Sequence, residues 1–301
     1  MSVWLLASLV TKSLVYLAML ATGGGLFVSL LYPLKAITVR YLLPATIMGL
    51  LAVCLFFLVQ IGQVNQQGVP GMFDMQLGAI LAETTLGEGL RWRLAGFALV
   101  LVAAATIWLA DTHSRFHGWI AAAFIVGLLG CIALAVSVAV LGHVNILDMA
   151  TRVAAALHLL AVSVWIGALL PLLWVCQQAF QGDRYPGRLI LLLRQFGQFG
   201  WLFLGLMVIS GIWMAWQLLG SFSALLTTTH GRFLLAKLAL VALLMALGAS
   251  NKFFWVSRLA DPQNRHGAVK GLRLTILMEI VLAVAVVVAT ALMTTVEGPV
   301  R

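Results

Sequence analysis

Two histidines bracket a short polar turn between two long apolar segments of the sequence. His143 ends one segment, after Gly142, and His158 lies inside the next segment. Imidazole binds copper, zinc and haem iron, and it is uncommon in a hydrocarbon layer unless it has a partner or a function. The pair therefore predicts either a metal site or two histidines with ordinary hydrogen bonds at a membrane surface. The spacing alone does not choose between these interpretations.

Four more residues could contribute ligands on the same side. Asp148 belongs to the turn between the two histidines, and His230 precedes a later apolar segment, where it would allow a site of three imidazoles. Met72 and Met75 are three residues apart, which places them on one face of a helical turn, and thioether sulfur favours Cu(I). The simpler alternatives are a solvated loop histidine and, for the methionines, an interfacial helix over residues 72–86.

The elements that position these residues are predicted to be membrane-spanning helices. The chain is 63% hydrophobic and 9% charged, whereas a soluble domain has about 25% charged residues. A spanning helix needs roughly 20 apolar residues. Eight runs meet this requirement: Val3–Leu31, Tyr41–Ile61, Leu94–Ala110, Trp119–Val140, Val153–Gln177, Phe196–Leu219, Phe233–Asn251 and Leu274–Val296. We expect an all-α polytopic membrane protein, a bundle of eight transmembrane helices forming one domain over residues 1–301.

The basic residues of the loops indicate an orientation. The loops after helices two, four and six hold four of them, Arg91, Arg93, Arg152 and Arg232. The other loops hold eleven: Lys35, Arg40, Arg115, Arg184, Arg188, Arg194, Lys252, Arg258, Arg265, Lys270 and Arg273. The positive-inside rule places the eleven in the cytoplasm and both termini in the periplasm. The net charge of +9 therefore reports topology and predicts no nucleic-acid partner. His158 would lie roughly 8–9 Å below the outer surface.

Charged residues inside the apolar runs form a second group of candidates. Lys12 and Glu279 either pair with each other, or Glu279 lies at the far side of a cation path. Lys237 either reaches the surface with its ammonium or faces a cavity. Met207 and Met214 are possible further steps of such a path, although core packing is the simpler interpretation. The sequence has no Walker motif and no Asp-Lys-Thr-Gly phosphorylation motif, so we expect neither an ATP-driven pump nor another enzyme.

The block from His158 to Gly167, together with Gly142-His143, resembles the hallmark of the copper resistance protein D family. The runs 230–238 and 249–252 are similar to further motifs of that family. The resemblance implies copper handling at a bacterial inner membrane, movement of copper from periplasm to cytoplasm, and a separate periplasmic copper-binding protein as partner. It makes His143 and His158 the candidate copper ligands. His230 departs from the pattern, because many relatives have tyrosine there.

Three functions remain open at this stage. The leading hypothesis is a copper-permeation protein that receives the ion on its outer face. The second is a membrane haem protein that transfers electrons, since two helix histidines can ligate haem. The third is a docking receptor for a periplasmic copper chaperone, in which Asp74, Glu83 and Glu88 of the outer loops would contact the partner. The oligomeric state is not indicated by the sequence.

Overall fold

The structure is a computed structural model that describes residues 3–31, 37–141, 146–181, 186–219, 221–261 and 263–296. These residues form helices and no strand. Eight helices are long and apolar enough to cross a membrane: α1 (Val3–Leu31), α2 (Thr38–Asn65), α3 (Thr85–Thr112), α4 (Ser114–Val140), α5 (Met149–Phe180), α6 (Leu189–Leu219), α7 (Gly231–Arg258) and α8 (Arg265–Thr295). The prediction of eight spanning helices is confirmed. We call the membrane face where α1 begins the N-terminal face, and the opposite one the basic face.

Several helices extend beyond the apolar runs. Helix α3 begins at Thr85 and not at Leu94, and α8 begins at Arg265 and not at Leu274. The extra turns contain arginine and glycine. A hydropathy pattern leaves such residues out of an apolar run, although they continue the helix into the membrane interface. Arg93, expected in a loop, consequently lies inside α3 and is 3% exposed. The predicted ends were wrong where charged residues sit within a helical turn.

Helix α1 lies at the centre of the bundle and packs against α2, α4, α5 and α8. Its close contact with α5 depends on glycine. A Cβ on Gly24 would lie 2.1 Å from the backbone carbon of Gly167, and one on Gly167 would lie 1.8 Å from the carbonyl oxygen of Leu20. Small residues allow helix backbones to approach in membranes, where packing replaces the hydrophobic effect as the driving force. The α1–α5 contact thus fixes the helix that carries His158.

Helix α5 is interrupted after Gly167, for a reason visible in the sequence. Pro171 has no N–H, so the carbonyl of Gly167 cannot receive its usual helical hydrogen bond. The hydroxyl of Tyr41, from a short π-helical stretch of α2 (Thr38–Leu42), donates to that carbonyl at 2.6 Å. An unsatisfied carbonyl would be costly in a membrane. Tyr41 therefore compensates for the break and ties α2 to α5.

The segment between α2 and α3 corrects one prediction. It contains a 3₁₀ helix, Val69–Phe73, and a separate helix, Met75–Ala82. Asp74 between them has an extended backbone and caps the second helix through the N–H of Leu77. Met72 packs near Gly62 of α2, whereas Met75 is 83% exposed. The prediction that the two methionines share one face of a helical turn is wrong, because the N-cap at Asp74 breaks the helix.

Candidate metal site and membrane cavity

His158 lies on α5 and faces α6. It lies nine positions after Met149, the first residue of the helix, and thus about 13 Å along the axis, deeper than the sequence indicated. Its Nδ1 is 3.0 Å from the carbonyl oxygen of Met207 and 3.2 Å from Oγ of Ser210. A carbonyl only accepts hydrogen bonds, so Nδ1 carries the proton and donates. Helix α6 thereby fixes the tautomer of the imidazole.

The second nitrogen of the ring is the one that can bind a metal. Nε2 of His158 has no hydrogen-bond partner among the described residues, and with Nδ1 protonated it carries a lone pair. Metal-binding histidines commonly donate their other N–H to a carbonyl, which orients the ring and raises the basicity of the ligand. His158 therefore has the local arrangement of a metal ligand. One imidazole alone does not complete a site.

Glycine and a nearby hydrogen bond hold α6 against the imidazole. A Cβ on Gly211 would lie 3.3 Å from Cε1 and 3.6 Å from Nδ1 of His158, so a larger residue would press on the ring. Closer to the N-terminal face, Nε1 of Trp213 donates to Oγ1 of Thr151 at 3.1 Å. These contacts set the distance between α5 and α6 at the histidine.

Asp148 caps the first turn of α5. Its Oδ1 accepts from the backbone N–H of Thr151 at 3.2 Å and also from the Thr151 hydroxyl. An aspartate at this position satisfies a free N–H at the helix start. The structure thus gives Asp148 a structural role, and its predicted role as a metal ligand stays a prediction.

The remaining predicted ligands are only partly described. His143 lies outside the described residues. The backbone of His230 lies just before the span α7, in a helical turn that begins at Thr229 and is capped by Thr228. Its side chain lies outside the described atoms. Within the described part of the chain, no three His, Cys, Asp or Glu side chains form a group that could hold a metal. The sites of two and of three histidines therefore remain predictions.

A lysine on α7, Lys237, contributes a positive charge near the imidazole of His158. The ammonium of Lys237, on α7, interacts electrostatically with the imidazole. No carboxylate of the described residues forms a hydrogen bond with either group. A cation that binds at Nε2 would be repelled by this charge, and the repulsion is greater for a divalent ion than for a monovalent one.

Lys12 and Arg93 form a second cationic region near the N-terminal face. Lys12 Nζ donates to the carbonyl of Thr294 at 2.9 Å and to Oγ1 of Thr295 at 3.3 Å. Arg93 Nε lies 3.4 Å from Oγ of Ser137. Glu279 precedes Thr294 by fifteen residues of α8, about 22 Å along the axis. The prediction that Lys12 pairs with Glu279 is wrong.

Glu279 instead belongs to a polar network in the C-terminal part of the bundle. Its Oε2 accepts from Nδ2 of Asn251 at 2.9 Å, and the hydroxyl of Thr275 donates to Oδ1 of Asn251. Asn251 begins a π-helical stretch of α7, Asn251–Trp255, a feature that is frequent at functional sites. Sequence analysis identified Glu279 as a candidate but gave Asn251 no role of its own, because their pairing depends on the rotation of α7 against α8.

Comparison with known proteins bears on this same part of the chain. Residues 190–293 match the family model described as copper resistance protein D. A relative, inner membrane protein YebZ of Escherichia coli (strain K12), is 33% identical over 110 residues, which are 36% of this chain and 37% of that protein. The match therefore spans about a third of the relative's length. No solved structure matches the chain.

The matched range contains all of α7 and nearly all of α6 and α8. It includes Met207, Ser210 and Gly211, which surround His158, and the Asn251–Glu279 pair. The His158–Gly167 block, on which the resemblance relied most, precedes the matched range. The resemblance is confirmed for the C-terminal part of the chain. Residues 190–293 are therefore similar to the copper resistance protein D family, and the eight apolar helices are those of a multi-pass membrane protein.

Proposed function

We propose that this protein handles copper at the inner membrane and receives the ion at His158, moving it from the N-terminal face toward the basic face. The observation that carries the proposal is the arrangement of His158. Its Nδ1 is held by the Met207 carbonyl and Ser210, while Nε2 has no partner among the described residues. The family match of the helix that holds the ring supports copper as the ion.

The proposed ion is Cu(I). Cu(I) accepts two imidazole ligands readily and carries the smaller charge beside Lys237. His143 and His230 are the candidates for the second ligand, since both are predicted to lie near the N-terminal face.

The uneven distribution of basic residues supports a periplasmic N-terminal face, with both termini on that side. A separate periplasmic copper-binding protein is the proposed donor, and no catalytic activity is assigned.

Copper accumulation in cells tests the proposal. Cells that express the wild-type protein are compared with cells that express His158→Ala or His266→Ala at equal membrane levels. His266 is a matched control because it lies near the start of α8, on the opposite face, stacked on Phe180 with ring centroids 4.7 Å apart. We expect loss of protein-dependent accumulation for His158→Ala alone. Equal accumulation in all three strains would refute the transport proposal.

A proteoliposome assay separates transport from docking. If purified protein moves Cu(I) into vesicles with no partner present, the transport proposal stands. If Cu(I) stays outside while a periplasmic copper-binding protein still binds to the vesicles, the docking hypothesis replaces it. In that case charge-removing variants of Asp74, Glu83 and Glu88 should weaken docking. Binding by these acidic side chains would be salt-dependent, because they lie near the surface.

A further inference from the structure

A cavity of about 580 Å³ lies in the part of the bundle toward the basic face, among α5, α6, α7 and α8. This volume falls in the range of small-molecule sites, about 300–1,000 Å³. Its walls are largely apolar and contain the aromatic side chains of Trp165, Phe196, Trp201 and Phe253. Flat rings of a ligand can stack against such side chains. The cavity is separate from His158, which does not line it.

A carboxyl group with a free acceptor atom contributes to the cavity lining. Glu279 is 2% exposed, and Asn251 Nδ2 donates to its Oε2. Its Oε1 accepts no hydrogen bond from a described residue, and it lies 3.2 Å from the position that a Cβ on Gly248 would take. Gly248 also lines the cavity. This oxygen is accessible from the cavity, so a ligand that donates a hydrogen bond can reach it.

The cavity is partly open, and exposed residues of both α6 and α7 form part of its lining. Helix α6 packs on α5 while α7 packs on α8, and both are mostly exposed on their outer sides. Lys252 connects the two helices toward the basic face by donating to the carbonyl of Gly197 at 2.7 Å. Trp201 and Phe253 line the cavity and are 58% and 63% exposed. A ligand can therefore enter sideways from the bilayer.

We propose that this cavity binds the head of a quinol-class amphiphile. The flat ring lies among the aromatic side chains, a ring hydroxyl donates to Oε1 of Glu279, and the apolar tail extends into the bilayer between α6 and α7. A phospholipid chain would fill the apolar volume but leave the carboxyl oxygen without a donor. Water can satisfy the oxygen when no ligand is bound, and a ring hydroxyl that donates to it would displace that water. The proposal is independent of copper transport.

Binding of decylubiquinol to the protein in phosphatidylcholine nanodiscs tests the proposal, measured by isothermal titration without oxygen. Decylubiquinone, which has the same tail but no hydroxyl donor, is the matched ligand. Glu279→Gln keeps the shape and the contact with Asn251 but replaces the free oxygen with an N–H donor. Glu83→Gln is the control variant, because Glu83 is exposed near the N-terminal face. Ala249→Phe fills the cavity from an exposed position in its wall.

We expect decylubiquinol to bind more tightly than decylubiquinone in the wild type. Glu279→Gln should weaken quinol binding roughly tenfold, because the amide that accepts from Asn251 turns an N–H donor, and not an acceptor oxygen, toward the ring hydroxyl. Glu83→Gln should bind like the wild type, and Ala249→Phe should not bind. Thermal unfolding of each variant verifies that it is folded. No quinol binding, equal binding of quinone and quinol, or wild-type affinity in Glu279→Gln and Ala249→Phe would each overturn the assignment.

Discussion

Substitution of Gly211 probes whether α6 orients the ligand of the proposed copper site. Alanine at this position would place a Cβ 3.3 Å from Cε1 and 3.6 Å from Nδ1 of His158. The first distance is shorter than most carbon contacts, so the ring must move by a few tenths of an ångström. The bond from Nδ1 to the Met207 carbonyl is 3.0 Å long, and hydrogen bonds of this type weaken beyond about 3.2 Å. Such a shift is therefore enough to loosen the ring.

The expected effect is a loss of copper affinity with the fold retained. Loss of a group that orients a metal-binding histidine typically lowers affinity about 10–100-fold. Because Gly211→Ala shifts the contact and does not remove it, we expect roughly a tenfold loss. Gly205→Ala is the matched control on the same helix, since a Cβ on Gly205 would meet nothing within 4 Å. It should bind copper like the wild type.

The assay is an anaerobic competition titration of Cu(I) against a chromophoric chelator, with purified protein in detergent. Thermal unfolding of both variants establishes that they are folded. Equal Cu(I) affinity of the Gly211 and Gly205 variants would refute the reasoning, because it would mean that contact with α6 does not position the copper ligand.

Three further predictions concern the surroundings of the site. Lys237→Gln should raise Cu(I) affinity roughly tenfold, because it removes a positive charge that acts on His158. The same titration measures this affinity, and an unchanged value would contradict the role assigned to the charge. Tyr41→Phe should lower the free energy of unfolding by about 1–3 kcal/mol, because the Gly167 carbonyl loses its donor, and a denaturation midpoint equal to that of the wild type would contradict it. The purified protein should show no Soret band. Stoichiometric haem absorption would instead support the electron-transfer hypothesis.

The spanning helices could be predicted because each crosses a hydrocarbon layer and must be apolar over that length. Their ends could not be predicted equally well, since arginine at a membrane interface is compatible with both a loop and a helical turn. Arg93 illustrates the difficulty: its place before an apolar run indicates a loop, yet it is buried against Ser137 in α3.

The candidate site was predicted in its main residue but not in its contacts. His158 is identifiable from its type and its place in an apolar run. The Met207 carbonyl that orients it has no signature in the sequence, because every residue has a carbonyl. The Glu279–Asn251 pair joins residues that are 28 positions apart. Each residue is notable for its polarity inside an apolar run, but their contact depends on helix packing.

The central claim is that the protein binds copper through His158. The most direct test is the copper content of the purified protein after loading with Cu(I) and removal of unbound metal, for the wild type, His158→Asn, His266→Asn and the double variant His143→Asn/His158→Asn. We predict bound copper in the wild type and in His266→Asn, and loss of that copper in both variants that lack His158. Wild-type copper content in His158→Asn and in the double variant would contradict the claim.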